Sequence, residues 1–421
     1  MIELTLDEVR QLCPGELDVV AGAERVSGVQ IDSRRISPGD LFVAAGAGAG
    51  FRGDARVRGA AATLVPDDAF AALGGLGRII RDRSRARVVG ITGSTGKTST
   101  KDILHALCSP HLRTIANERS YNAELGVPLT LCRLEADTEA CIVELAMRGF
   151  GQIAYLCELA RPDVGVITNV GPAHLALVGS LEGVTRAKSE LVAALPSGGT
   201  AIVPEDFPVE RDDLEVVRFG EPEARVDDGR MLIRFEGREI AFSFTARHQA
   251  RNALAALHAA RALGVEPDGQ VEVAFSEWRG EEVDLPDGGV VIVDCWNANP
   301  LSMGSALEHL AQRAAGRRLV AVLGDMAELG ESAPGYHREI GHLARSIGLS
   351  ALVAVGEEAR AYLEGGAGIR DTRWVAAADE AVAVVEDVLE PGDAVLVKGS
   401  RAVGLEVVAD ALTGVRSRMA H

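Results

Sequence analysis

A glycine-rich segment, VVGITGSTGKTST (residues 88–100), contains the residue types that bind phosphate. The standard phosphate-binding loop reads Gly-x-x-x-x-Gly-Lys-Ser/Thr between a strand and a helix. Here Gly96, Lys97 and Thr98 fit that pattern, but Ile91 stands where the first glycine belongs. Backbone N–H groups of such a loop approach phosphate oxygens, the lysine offsets their charge, and the threonine can bind Mg²⁺. We therefore predict a compressed phosphate loop. It consists of Gly93, Ser94, Thr95, Gly96, Lys97 and Thr98. The alternative is an accidental glycine-rich turn.

Two further polar residues follow apolar segments that read as strands. Glu144 ends the segment ACIVEL, and His174 ends ITNVGPAH. The carboxyl ends of parallel strands are where such sheets bind ligands, so both residues are candidates for a site. Taken alone, Glu144 is equally well explained as a solvated charge, and a lone loop histidine is more often structural or exposed.

Lys188 lies in a segment with helical periodicity, SLEGVTRAKSELVAALP (residues 180–196). It comes four residues after Val184 and three before Leu191, which places it on the apolar stripe of the predicted helix. Buried lysines are rare unless they are paired, so this position indicates a functional amine. The alternative is a lysine whose stem packs while its ammonium group reaches solvent.

Polar residues also follow strand-like segments in the last third of the chain. VVIVDCWNANPLSM (290–303) contains Asp294 and Asn297, which could hold a ribose or a phosphate, although an Asn-Pro turn is the simpler explanation. GDMAELG (324–330) and LVKGSRAVGLE (396–406) add acids, Lys398 and Arg401, each of which fits a surface loop equally well.

Composition limits the class of protein. A net charge of −18 and a pI near 5.0 argue against a nucleic-acid partner, and no apolar run reaches the ~18 residues that a membrane span needs. The start of the chain has no positively charged n-region, and the six cysteines have no metal-type spacing. We therefore expect a cytoplasmic protein that neither enters a membrane nor binds nucleic acid.

The positions of the apolar segments predict an α/β protein with three domains. Residues 1–83 form a small α/β domain with strands near Gly28–Ile31 and Leu41–Ala44. Residues 84–314 alternate strands and helices, which indicates a doubly wound, mostly parallel sheet that includes the strand at 290–293, with a β-rich insertion at 200–244. Residues 315–421 form a Rossmann-like domain.

In their order and sequence these segments resemble the Mur ligase family, the ATP-dependent amino-acid ligases of peptidoglycan synthesis. The similar segments are TGSTGKT, ELAMRGFGQI, ITNVGPAH, the AKSEL around Lys188, HQARNALAA (248–256) and KGSR (398–401). Within the family, DCWNANPLSM and VLGDMAELG are most similar to the members that add D-alanyl-D-alanine to UDP-N-acetylmuramoyl-tripeptide. Three segments depart from the family pattern: Trp296 replaces a tyrosine, residues 246–249 read ARHQ, and the segment 46–62 is short.

The resemblance implies a mechanism through an acyl phosphate, with ATP, two Mg²⁺ ions and a carbamylated Lys188, in an enzyme that acts as a monomer. It implies that Thr98, Glu144, His174 and Lys188 serve the metals, with Lys97, Lys188 and His174 as catalytic residues. It also assigns Asn252 to the adenine, Asp294 to the ribose, and Arg279 with Asn297 to the phosphates of ATP. The implied substrate contacts are Ser33 and Arg34 toward the uridine nucleotide, and Asn122, Lys398, Ser400 and Arg401.

Two other functions remain open at this point. One is a ligase of the same fold that acts on a different carboxylate and amine. The other is a phosphate-loop protein that works as a nucleotide-driven switch without ligase chemistry. A switch does not need an acid, a histidine and a buried lysine around Mg²⁺, whereas the ligase does.

Overall fold

The computed structural model describes residues 1–118 and 121–414. It divides into two compact units. The first contains Met1–Thr168, Ala187–Ser243 and Arg251–Ala274, and the second contains Asn169–Arg186, Phe244–Ala250 and the chain from Phe275 onward. Within the described residues, none of the helices is both long and apolar enough to cross a membrane.

The N-terminal region is a small α/β structure within the first unit. Its main sheet has the strand order β2-β6-β5-β4, in which β2 is antiparallel to β6 and the other pairs are parallel. The elements are β1 (Leu4–Thr5), α1 (Leu6–Leu12), β2 (Gly15–Val19), β3 (Arg25–Val26), β4 (Gly28–Gln30), β5 (Asp40–Val43), α2 (Arg52–Val57), β6 (Ala62–Pro66) and α3 (Ala69–Arg83). The two strands predicted here are confirmed as β4 and β5.

The central sheet is fully parallel, in the order β12-β11-β10-β7-β9-β8. Connections from β7 run to one side and those from β10 to the other, so the loops after these two strands flank the switch point of a doubly wound sheet. The elements are β7 (Arg87–Thr92), α4 (Lys97–Cys108), β8 (Thr114–Ala116), α5 (Gly126–Leu131), β9 (Ala140–Glu144), α6 (Gln152–Ala160), β10 (Val164–Ile167), α7 (Leu175–Val178), α8 (Leu181–Ala193), β11 (Thr200–Pro204) and β12 (Glu215–Phe219).

The predicted β-rich insertion at 200–244 is only partly separate. β11 and β12 extend the central sheet, because their backbone groups pair in parallel with β10 and with each other. A separate small sheet has the order β13-β14-β15-β16. Its elements and the adjoining helix are β13 (Ala224–Asp227), β14 (Arg230–Phe235), β15 (Arg238–Phe242), α9 (His248–Ala262) and β16 (Gln270–Val271).

The C-terminal sheet has the order β17-β18-β22-β19-β20-β21, parallel except for the edge strand β17. Along β18, Val290 and Ile292 enter one hydrophobic core while Val291 and Val293 enter another, so the sheet is buried on both faces. The elements are β17 (Glu281–Asp284), β18 (Val290–Asp294), α10 (Pro300–Arg313), β19 (Leu319–Gly324), α11 (Ala333–Ser346), β20 (Ala351–Val355), α12 (Arg360–Gly365), β21 (Asp371–Val375), α13 (Ala378–Val388), β22 (Ala394–Lys398) and α14 (Glu406–Thr413).

This topology corrects the predicted place of the strand at 290–293. It is hydrogen-bonded to β22, not to any strand of the central sheet, so the C-terminal sheet begins near Glu281 and the predicted boundary at residue 314 falls too late. The physical reason is that β22, the strand that pairs with β18, follows it by about a hundred residues, beyond the range of any local pattern.

The six cysteines are buried and unpaired, as the absence of metal-type spacing predicts. Burial raises the pKa of each thiol, to about 11 for Cys13 and to about 12 for Cys108, Cys141 and Cys157. These thiols are therefore protonated at neutral pH.

Candidate active site

The predicted phosphate loop joins β7 to α4. Gly96 is the N-cap of α4 and has a left-handed φ of 79°, a conformation that glycine adopts without strain. The Lys97 ammonium donates to the carbonyl oxygen of Gly93 at 2.9 Å, so the lysine folds back over the loop. Thr95 is held from the neighbouring strand, because the Thr168 hydroxyl donates to its carbonyl oxygen at 2.5 Å. The strand, loop and helix required for a phosphate site are all present.

Glu144 lies at the carboxyl end of β9, only 1% exposed. One carboxylate oxygen accepts a hydrogen bond from the Thr98 hydroxyl at 2.9 Å, and the other accepts from the Asn122 side-chain amide at 2.7 Å. The backbone N–H of Glu144 donates to the side-chain oxygen of Asn117 at 2.5 Å. The alternative of a solvated strand-end charge is therefore wrong. Thr98, Asn122 and Glu144 are far apart in the sequence but meet at the phosphate loop.

Lys188 is 1% exposed on α8, and Val184 and Leu191 on the same helix face are fully buried. The alternative of an ammonium group reaching solvent is therefore wrong. Leu181, the first residue of α8, is 45% exposed and does not belong to the buried face. Burial holds the pKa of Lys188 well below its usual value, and the nearby charge of Lys97 lowers it further. A neutral amine in this position is the form that can react with CO₂.

Asn252 lies on α9 next to the phosphate loop. A Cβ atom on Gly96 would stand 2.2 Å from the side-chain oxygen of Asn252, so the glycine is required by close packing as well as by its φ. Asn252 is 8% exposed. The structure thus brings this predicted nucleotide-binding residue against the loop, although the ARHQ segment before it departs from the family pattern.

His174 belongs to the second compact unit, and its partner there is Glu328. The Nδ1 atom of His174 forms a hydrogen bond with the Glu328 carboxylate, and the backbone N–H of Ala176 donates to the Glu328 carbonyl oxygen at 3.2 Å. His174 and Glu328 both have left-handed backbones, with φ of 57° and 63°. Strained residues of this kind persist only where surrounding contacts hold them, and they cluster at functional sites.

The C-terminal candidates meet at the ends of β18 and β22. The Lys398 ammonium is buried and contacts the Asp294 carboxylate at 2.6 Å and the carbonyl oxygen of Asn297 at 2.9 Å. Lys398 therefore holds two predicted nucleotide-binding residues in place, and its charge is already used within the protein. This geometry favours a positioning role for Lys398 over the direct substrate contact that the resemblance implies.

The remaining C-terminal candidates surround two tryptophans. The Arg401 guanidinium lies 5.0 Å from the ring centroid of Trp278 and 5.7 Å from that of Trp296, and Arg279 lies 5.9 Å from Trp296. Ser400 is buried, and its hydroxyl accepts a hydrogen bond from the backbone N–H of Ala327 at 2.9 Å.

The two N-terminal candidates are engaged in contacts within their own region. Arg34 is exposed and forms a salt bridge with Asp32 at 2.9 Å. Ser33 is buried, and its hydrogen bond lowers the pKa of the Asp54 carboxyl. Their contact with a uridine nucleotide stays a prediction.

The oxygen donors beside the loop fit a magnesium ion. Among the residues described, no group of three or more His, Cys, Asp or Glu side chains could hold a metal, which excludes a site made of those side chains alone. The Glu144 carboxylate and the Thr98 hydroxyl are hard oxygen donors, and Mg²⁺ typically takes one or two carboxylates together with substrate phosphates and water. The residues therefore match Mg²⁺ bound with a nucleotide.

Sequence reasoning missed three positioning residues of this site. Asn117 and Thr168 act on Glu144 and on the loop backbone, and Glu328 acts on His174. No local sequence pattern marks Asn117 or Thr168. Glu328 lies in GDMAELG, a segment noted for its acids, but its partner is 154 residues away.

Two protein-family models match this chain. The Mur ligase middle domain matches residues 91–260, and the Mur ligase glutamate ligase domain matches residues 278–401. The UDP-N-acetylmuramoyl-tripeptide--D-alanyl-D-alanine ligase of Mycobacterium tuberculosis is 35% identical, over 98% of this chain and 98% of that protein. The structure of MurF from Acinetobacter baumannii has a TM-score of 0.83 at 27% identity and covers 98% of this chain and 99% of its own.

A second solved structure, MurF ligase from Thermotoga maritima in complex with ADP, has a TM-score of 0.75 at 25% identity, covering 92% of this chain and 97% of that one. The predicted fold class, a mixed α/β protein with a central parallel sheet, is confirmed by these matches together with the observed topology. With two matching domain models and a relative above 30% identity along its whole length, this chain belongs to the Mur ligase family, alongside the UDP-N-acetylmuramoyl-tripeptide--D-alanyl-D-alanine ligases.

Proposed function

We propose that this chain is an ATP-dependent ligase that joins D-alanyl-D-alanine to UDP-N-acetylmuramoyl-tripeptide in the synthesis of peptidoglycan precursors. The relatives that match its full length carry the name of this reaction. The observation that carries the proposal is the group of Thr98, Glu144 and Asn122 beside the phosphate loop, with the buried Lys188 in the same unit.

The first step forms an acyl phosphate. The tripeptide carboxylate attacks the γ-phosphorus of ATP, and ADP leaves. Phosphoryl transfer needs positioning and charge stabilisation more than covalent help from the protein. Backbone N–H groups of the loop and the Lys97 ammonium supply that stabilisation, the ammonium leaving its contact with the Gly93 carbonyl oxygen to meet the phosphates.

Mg²⁺, when bound, neutralises the charge that develops on the transferring group. Thr98 and Glu144 are the residues that would hold it, with a carbamylated Lys188 in the same unit as a further ligand. The metal-binding role of His174, which the resemblance implies, stays a prediction. The burial of Lys188 supports the carbamate, since the neutral amine can bond to the carbon of CO₂ and release a proton, leaving an anionic oxygen donor.

The second step forms the amide bond. The neutral amine of D-alanyl-D-alanine attacks the acyl carbon, and the tetrahedral intermediate collapses as inorganic phosphate leaves. The amine loses its extra proton to solvent. Acyl phosphates hydrolyse in water, so the site must exclude water until the amine arrives.

The decisive experiment measures phosphate release from ATP with each substrate left out in turn. The proposal expects release only when both UDP-N-acetylmuramoyl-tripeptide and D-alanyl-D-alanine are present. Release that needs neither substrate would indicate a nucleotide-driven switch. Release with a different carboxylate or amine, but not with this pair, would indicate another ligase of the same fold.

We further propose that the enzyme works as a monomer in the cytoplasm. Six unpaired cysteines suit a reducing compartment. Light scattering of the purified protein tests the first point, and fractionation of the producing cells tests the second.

A further inference from the structure

Two of the three tryptophans in the chain form a platform in the second unit. The ring centroids of Trp278 and Trp296 are 5.9 Å apart, with an angle of 31° between the ring planes. Trp278 precedes β17 and Trp296 follows β18, two neighbouring strands. We call this pair the tryptophan platform.

The guanidinium of Arg401 contacts both rings of the tryptophan platform. Both rings lie within 6 Å of it, the range in which a cation is attracted to an aromatic face. Arg401 also forms a salt bridge with Glu406 on α14. Its side chain is still 39% exposed, so the guanidinium retains surface for a ligand.

The backbone of Trp278 indicates that this arrangement is maintained at a cost. Its φ of 59° lies in the left-handed region, which is unfavourable for a bulky side chain. Nevertheless the tryptophan is 7% exposed and packs into a core of the C-terminal sheet. A strained, buried aromatic residue in contact with a partly exposed arginine points to a functional constraint.

Arg401 also lies at the carboxyl end of a parallel strand, where such sheets bind ligands. It follows β22, which is adjacent to β19 at the point where the strand order reverses. The loops after these strands are tied together, because the backbone N–H of Ser400 donates to the carbonyl oxygen of Asp325 at 3.1 Å. The backbone before Arg401 is therefore held in place, and the tryptophan platform orients the guanidinium group.

We propose that Trp278 is a positioning residue that, with Trp296 and Glu406, orients Arg401 to bind an anionic group of a substrate. An arginine fork recognises a carboxylate or a phosphate through paired hydrogen bonds. Three sources of such a group exist under the proposed function, on which this inference rests. They are the carboxylate of the dipeptide acceptor, the phosphates of ATP, and the diphosphate or carboxylates of UDP-N-acetylmuramoyl-tripeptide.

The chain contains a matched control for this arrangement. Arg360 lies 3.6 Å from the ring centroid of Trp374 and forms a salt bridge with Glu357 at 3.4 Å. Trp374 lies on the edge strand β21. This second set of an arginine, a tryptophan and a glutamate has the same chemistry, but it does not lie where the strand order of the sheet reverses.

Steady-state kinetics of the full chain compare Arg401→Lys with Arg360→Lys. Lysine keeps the charge but loses the planar fork, so Arg401→Lys should raise the KM of one substrate, ATP, D-alanyl-D-alanine or UDP-N-acetylmuramoyl-tripeptide, by about tenfold. Trp278→Phe should raise the same KM about two- to fivefold, because phenylalanine binds a cation less strongly. Arg360→Lys and Trp374→Phe should leave every KM unchanged. The substrate whose KM changes identifies the source of the anion.

Tryptophan fluorescence gives a readout that does not depend on turnover. In a Trp374→Phe background only the platform tryptophans remain. ATP, D-alanyl-D-alanine and UDP-N-acetylmuramoyl-tripeptide are added alone in separate titrations, and one of them should change the emission. Arg401→Lys in that background should remove the change. If Trp278→Phe does not fold, which circular dichroism will reveal, Arg401→Lys carries the test.

Equal KM values for Arg401→Lys and the wild type, with no ligand-dependent fluorescence, would overturn the inference. Turnover by the wild type in the same assay shows that the proposed function stands independently of that outcome. If the wild type does not turn over at all, the proposed function fails, and the fluorescence titration alone decides the role of Arg401.

Discussion

Replacing Lys188 by methionine should stabilise the protein near neutral pH while abolishing its turnover. Lys188 is 1% exposed, and burial together with Lys97 holds its pKa well below the usual value. Folding therefore favours the neutral form of the amine, so unfolding is coupled to proton uptake. Methionine has a similar length and no group to protonate, so the substitution removes this penalty without leaving a large cavity.

The magnitude follows from proton linkage. Between the lowered pKa of the folded protein and about 10.4, the value for an unfolded chain, unfolding binds one proton. The free energy of unfolding of the wild type should therefore rise with pH by about 1.4 kcal/mol for each pH unit in that range, relative to Lys188→Met. The variant should be the more stable protein at pH 7, and the difference should shrink as the pH approaches 10.

The assay is urea denaturation at pH 7, 8 and 9 in buffer free of CO₂, with Lys101→Met as the matched control. Lys101 is also buried, but it forms an ion pair with Asp102 at 2.9 Å. Its removal leaves a buried carboxylate without its lysine, so Lys101→Met should destabilise the protein by about 3 kcal/mol.

Bicarbonate gives the second arm of the experiment. If Lys188 forms a carbamate in the folded state, added bicarbonate should stabilise the wild type and leave Lys188→Met unchanged, because a ligand that binds only the folded protein shifts the equilibrium. Parallel pH profiles for wild type and variant would refute the reasoning, since they would mean that Lys188 is charged in the folded protein.

Three further predictions concern the phosphate loop and His174. Lys97→Ala should lower kcat by about 100-fold or more with an unchanged melting temperature, as measured by phosphate release, and retention of a tenth of the activity would remove the lysine from the mechanism. Glu328→Gln should weaken Mn²⁺ binding by about tenfold in electron paramagnetic resonance titrations, because a metal-binding histidine depends on the carboxylate that orients it; unchanged affinity would assign Glu328 a purely structural role. Gly96→Ala should destabilise the protein by about 1–2 kcal/mol in urea, and adding Asn252→Ala should recover part of this loss, since the new Cβ lies 2.2 Å from the Asn252 oxygen; equal losses in the single and double variants would contradict that contact.

Sequence reasoning succeeds here where the determining interactions are local. The phosphate loop follows from glycines, a lysine and a threonine within six residues, flanked by a strand and a helix. Likewise, β18 coincides with the apolar segment predicted at 290–293, because a strand buried on both faces is continuously apolar. The buried face of α8 follows from its 3.6-residue period, which places Lys188 among apolar neighbours.

The same reasoning fails where partners are distant in the chain. The strand β18 pairs with β22, and a strand pattern carries no information about which sheet it joins. The ion pair of Lys398 with Asp294 joins residues 104 positions apart. Both residues were predicted to contact ligands, and in the structure they contact each other. The pairing of His174 with Glu328 escapes sequence reasoning for the same reason.

The buried cysteines have a practical consequence for measuring domain motion. Thiol-reactive dyes attack the thiolate, and a buried thiol with a raised pKa presents neither the charge nor the access that the reaction needs. A cysteine introduced on the surface should therefore react alone, without replacement of any native residue. Pairs of such labels, one in each compact unit, would allow single-molecule distance measurements on the otherwise natural sequence as ATP and the peptide substrates are added.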